Sequence, residues 1–98
     1  MNEILEKAFK SLSVTCNKTA LHPNDEDRIK VTLRALQQND VAIDVYSLES
    51  WLLENGWQQK PIKNIVSWAT AVSNGGRVQL KNKATAPTEK EVWERLHA

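Results

Sequence analysis

DVYSLESWLLENGWQQKPIKNIVSWATAVSNGG, residues 44–76, is the stretch whose reading decides the fold. Val45, Leu48, Trp51 and Leu52 recur at the three-and-four spacing that gathers side chains on one face of an α-helix. Ile62, Ile65, Val66, Ala69 and Val72 repeat that spacing after a break at Asn55-Gly56-Trp57. Asp44 or Ser47 can accept from the free N–H groups that open the first of these helices. Gly56 falls at the position where a helix ends in the left-handed conformation, which a residue without Cβ adopts at no steric cost. Trp57 then meets Leu52 in the hydrophobic contact of a Schellman ending. Pro61 occupies the first turn of the second helix, where its missing N–H costs nothing. That helix is expected over about 60–73, and Asn74-Gly75-Gly76 terminates it.

Working outward, Ile4, Leu5, Ala8, Phe9 and Leu12 form one stripe, so a first helix is expected over about 2–13, with Asn2 as its cap and Glu3 and Glu6 near its positive end. Residues 13–22 have no clear period and read as a loop, because Pro23 pushes His22 out of the helical region. Ile29, Thr32, Leu33 and Leu36 predict a second helix over about 24–38, capped by Asn24. Asp25, Glu26 and Asp27 are expected to stabilise its dipole. Gln37-Gln38-Asn39-Asp40 closes it, since Asn tolerates the left-handed conformation. Val41-Ala42-Ile43 is apolar and β-branched but has no partner strand, and is expected as an extended linker lying on the core. Arg77-Val78-Gln79-Leu80-Lys81 alternates like a strand over too short a run to be decisive. A flexible connector over 81–87 leads to a short fifth helix over about 88–97, with a Thr88/Glu91 capping box and Val92, Trp93 and Leu96 as its docking face. The expectation is one compact all-α domain over 1–98, of four to five short helices, with a helix-turn-helix-like pair at 44–73.

Composition narrows the function classes. A chain of 98 residues, 41% hydrophobic, has apolar content for one core and no second one. Net charge is +1, so any electrostatic binding must be local. No stretch approaches the ~18 apolar residues of a membrane span, so no membrane partner is expected. The N-terminus lacks the basic start and apolar run of a signal peptide, which with the single Cys16 leads to an expected cytoplasmic location.

Catalytic and metal chemistry find few residues to use. Cys16, His22 and His97 lie in separate segments, without the spacing of a zinc site or a nucleophile turn, and a lone cysteine is usually inert packing. Gly75-Gly76 follows a helix instead of opening one, so it is no phosphate loop. No catalytic residue, cofactor site or metal site is assigned, and the chain is not expected to be an enzyme.

Charge distribution says more. Residues 1–54 carry −3, residues 55–88 carry +5 with no acid, and residues 89–98 carry −1. Lys60, Lys63, Arg77, Lys81 and Lys83 are therefore the candidate nucleic-acid contacts, supported by Asn64, Ser67 and Thr70 on the same helix. A solvated helix face followed by a soluble tail is the simpler account of so modest a charge. In the helix-turn-helix comparison, Gly56, Trp57, Ile62 and Ile65 agree with the pattern and 77–83 stands where a wing would. Bulky Leu52, polar Asn55 and the longer turn implied by Pro61 do not agree. Of the four tryptophans, Trp68 is offset from the Ile65-Ala69-Val72 line and is the candidate protein-interface anchor.

The run Leu48-Glu49-Ser50-Trp51-Leu52-Leu53-Glu54-Asn55-Gly56-Trp57, followed by Lys63-Asn64-Ile65-Val66-Ser67-Trp68-Ala69, resembles the YoaC-like family of small enterobacterial proteins. The similarity covers most of the second to fourth helices and consists of packing residues and a helix stop. It implies an all-helical fold without an assigned function, and no site residue follows from it. The leading expectation is a small non-catalytic interaction module with an unidentified protein partner. The alternative is a nucleic-acid-binding domain using the fourth helix and 77–83.

Overall fold

The computed structural model describes residues 1–82, 84 and 86–97. It contains five helices: α1 (Glu3–Thr15), α2 (Pro23–Gln38), α3 (Val45–Glu54), α4 (Gln59–Ser73) and α5 (Glu89–His97). No strand occurs among the described residues. The molecule is nearly isotropic, 28 × 27 × 26 Å. The fold is all-α, as the spacing predicts.

Helix α2 is the centre, with α1, α4 and α5 packed around it and α3 held on α4. The consecutive residues Ile29, Lys30, Val31, Thr32 and Leu33 are all buried, so α2 is enclosed well beyond the single stripe read from its sequence. Leu5, Phe9, Leu48, Leu52, Ile65 and Val72 close the core from the surrounding helices. Val41 and Ile43 lie half-buried against it, as expected of an extended linker.

Three successive helices stop in the same way. At the end of α3, the Trp57 N–H donates to Leu52 C=O at 3.1 Å and the Gly56 N–H to Leu53 C=O at 3.2 Å, with Gly56 at φ +87. At the end of α4, Gly76 and Gly75 donate to Ala71 and Val72 at 2.8 and 3.0 Å. At the end of α2, Val41 and Asp40 donate to Leu36 and Gln37 at 3.0 and 3.1 Å. The left-handed residue there is Asp40, at φ 58, and not the Asn39 that the sequence reading favoured. The start of α2 also differs from expectation. His22, not Asn24, is the cap, its Nδ1 accepting from the Asn24 N–H at 3.2 Å while the Asp25 carboxylate accepts from the His22 N–H at 3.4 Å. Pro23 at the first helical position makes this register favourable, since a proline there gives up a donor the helix would not have used.

Residues 77–81 alternate inward and outward, with Val78 and Leu80 half-buried and Arg77, Gln79 and Lys81 exposed. They form a single extended strap whose backbone is held by α2 side chains in place of a second strand. The Asp27 carboxylate, 1% exposed, accepts the Lys81 and Asn82 N–H groups at 2.7 Å each, and Lys30 Nζ donates to the Gln79 carbonyl at 2.7 Å. The acids at the head of α2 therefore do more than complement its dipole. The expected connector over 81–87 begins at this anchor, and its Lys83 and Thr85 lie outside the described residues. Thr88 and Glu91 form the expected capping box of α5.

Candidate interaction surface

Asp44 caps α3 by accepting from the Ser47 backbone N–H at 3.2 Å and hydroxyl at 2.8 Å. Those bonds, the backbone one first, hold its carboxyl below the usual aspartate value, so it is ionised at neutral pH. The helix buries Leu48 and Leu52 completely, and Trp51 lies half-buried with its ring edge-on to Phe9, centroids 6.5 Å apart. Inward positions at this spacing turn Tyr46 and Leu53, seven residues apart, onto the opposite side. Tyr46 is 86% exposed and Leu53 46%. An open cleft of about 340 Å³ lies beside them between α3 and the start of α1, bounded by Met1, Glu6, Tyr46, Ser50, Trp51 and Glu54. Glu6, Glu49 and Glu54 make no ion pair among the described residues. No lysine or arginine occurs anywhere between Arg34 and Lys60.

The basic candidates do not converge. Lys60 and Lys63 are exposed in the first turns of α4, while Arg77 follows its other end, with about 20 Å of helix between Lys60 and Ser73 at the helical rise. Lys81, whose side chain is 60% exposed, lies 3.6 Å from the Glu26 carboxylate, beside the strap anchor. Lys83 lies outside the described residues. Asn64, Ser67 and Thr70 are exposed on α4 with Lys60 and Lys63.

Trp68 is partly exposed and packs against the core, with Lys30 Nζ 5.0 Å from its ring centroid in cation–π contact. Lys30 is 7% exposed and also pairs with Glu26 at 2.8 Å, so Trp68 forms one wall of the polar cluster that holds the strap. Burial pushes the Cys16 thiol up to about 11, and it keeps its proton at neutral pH. His22 is engaged as the α2 cap, and the His97 ring lies against Trp93, centroids 4.1 Å apart and planes tilted by 56°. No group of three or more metal-ligating side chains occurs among the described residues. No helix among them is long and apolar enough to cross a membrane.

A second cleft, of about 370 Å³, lies between α1, α2 and α5, with Arg28 and Arg95 at its rim. Arg28 is already turned onto the Asp25 carboxylate and the Thr15 carbonyl, both at 3.4 Å. Its apolar lining residues Leu12, Val92 and Leu96 are buried, so no large exposed apolar group marks that cleft.

Sequence reading missed the outer face of α3. The signal was present: Tyr46 and Leu53 fall off the Val45-Leu48-Leu52 stripe and seven residues apart.

Fold and surface together define a five-helix all-α domain that displays an aromatic, acidic helix face. Residues 1–97 match the family model described as Domain of unknown function (DUF1889), and the chain belongs to that family. Comparison with curated proteins and with solved structures finds no match.

Proposed function

We propose that this chain is a small, non-catalytic cytoplasmic interaction module whose docking surface is the outer face of α3. The observation that carries this reading is the 86% exposure of Tyr46 with Leu53 on the same helix face. Aromatic side chains dominate the energetics of protein interfaces, and here one stands beside a cleft edged by Trp51. The protonated thiol of Cys16 favours a non-catalytic role, and a free buried cysteine agrees with a reducing compartment. Capture from nuclease-treated lysate, compared between the native chain and a Tyr46→Ala, Leu53→Ser variant, tests the surface. Partners should be retained by the first and lost by the second. Equal retention by a folded variant would remove α3 as the docking surface.

One observation favours a second reading, nucleic-acid binding through a helix-turn-helix-like α3–α4 pair. The exposed side of α4 carries Lys60, Lys63, Asn64, Ser67 and Thr70, and no acid lies on that helix. In this reading Arg77, Lys81 and Lys83 add phosphate contacts. Affinity for duplex or single-stranded nucleic acid would fall steeply with ionic strength, and neutralising Lys60, Lys63 and Arg77 would flatten the slope. Absence of binding at low salt would reject it. Trp68, part-exposed on α4, is the alternative protein anchor, and kinship with the YoaC-like proteins is proposed on the residues quoted for it.

A further inference from the structure

We infer that the segment received by the outer face of α3 is a cationic amphipathic helix of a partner protein, an inference that rests on α3 being the docking surface. Charge carries the argument. Glu6 and Glu54 edge the cleft, Glu49 stands on the exposed side of α3 and Asp44 caps the helix; against these four carboxylates stand the Met1 ammonium, which acts on Asp44, and Lys18, held on the Asn55 carbonyl at 2.8 Å, so the face keeps a net negative sign. The three glutamates have no cationic partner among the described residues. A surface of this sign repels phosphates and anionic lipid headgroups, and it attracts lysine and arginine.

Shape supplies the helix. Tyr46 and Leu53 lie seven residues apart, about 10 Å along the axis, which is the spacing of apolar side chains two turns apart on a facing helix. The cleft beside them, open along α3 and walled by α1 at Glu6 and by Trp51, gives that helix a groove instead of a flat surface. An apolar stripe would rest on Tyr46, Leu53 and the exposed edge of Trp51. Its flanking lysines or arginines would meet Glu6 and Glu54 on the cleft side and Glu49 on the other.

The probes are synthetic peptides of about 15 residues, long enough for four helical turns. One has a leucine stripe at helical spacing with lysine elsewhere. Another has the same stripe with glutamate elsewhere, and a third scrambles the lysine peptide so that no stripe forms. Binding is followed by amide chemical shifts of the full chain. The striped lysine peptide should shift residues 45–54 and the start of α1, weaken with added salt, and lose roughly tenfold in affinity against Glu49→Lys, Glu54→Lys. Both sites are exposed, and a lysine at the end of α3 suits the helix dipole, so the variant should fold, as its melting curve will verify. If the glutamate peptide binds α3 equally well, or charge reversal leaves affinity unchanged, the cationic partner is wrong while the docking surface stands. If no peptide shifts α3, or the scrambled peptide binds as tightly as the striped one, both readings fall.

Discussion

The strap over 77–82 and the outer face of α3 are both charged stretches at the surface, and the molecule treats them in opposite ways. The strap runs beside the carboxylates of α2: Asp27 takes two of its N–H groups, Lys30 its Gln79 carbonyl, and Glu26 lies within reach of its Lys81 ammonium. On α3, Glu49 and Glu54 meet no cation among the described residues, and Tyr46 touches mainly solvent. Charge counted along a sequence therefore measures supply and not availability. The strap belongs to residues 55–88, whose +5 is the largest net charge along the chain, and there it is partly spoken for inside the molecule, while the α3 face is open.

Removal of Asp27 should have the largest effect on this contrast. Asp27→Ala should cost about 2–4 kcal/mol in urea unfolding, because charge-assisted bonds are lost and a buried cluster loses its anion. Hydrogen exchange at 77–82 should accelerate more than at α3. Equal acceleration in both regions would mean that the strap is not a separate unit. Trp68→Ala should cost about 2 kcal/mol, since a half-buried indole against the core and Lys30 is removed. Undiminished stability together with lost partner binding would move the docking surface from α3 to α4. Lys81→Ala should change stability by less than ~0.5 kcal/mol, as expected of an exposed ion pair, leaving the Asp27 bonds to the backbone in place. A larger loss in thermal melts would make that pair a principal tie of the strap. The smallest effect belongs to Tyr46→Ala, which should leave the unfolding midpoint nearly unchanged. A clear drop would show that the tyrosine serves the fold, and the contrast would collapse.

Much of the architecture was legible because it depends on local periodicity. The stripes of α1, α3 and α4, the Gly56–Trp57 stop and the Thr88–Glu91 box are each set by residues within a few positions of one another. Where two neighbours could serve one role, the choice went astray: His22 for Asn24 as a cap, Asp40 for Asn39 in the left-handed conformation. Proline geometry and the register of the helix decide those cases, and both depend on where the first turn begins. The role of Asp27 was hidden for another reason. Its partners are 54 and 55 residues away, and nothing local distinguishes it from the acids beside it. Burial of Lys30 was likewise invisible, because it follows from α2 being central and not from its own neighbours. The α3 surface was readable in part, since helical spacing alone sends Tyr46 and Leu53 outward, yet no local rule says whether another segment will cover them.

Asp27 also works as a latch. By gripping the chain 54 residues later it closes a loop, as a cross-link would, but with bonds that open and re-form. Because α4 is already packed on α2, the latch has to order only the few residues after Ser73, a cost that two charge-assisted bonds exceed. Helix α5 starts within ten residues of Asn82 and packs mainly on α2, so the closed latch holds it on a short tether. Strap and terminal helix should leave the body as one cooperative piece, uncovering Val92, Leu96 and the flank of α2 in a single event short of global unfolding.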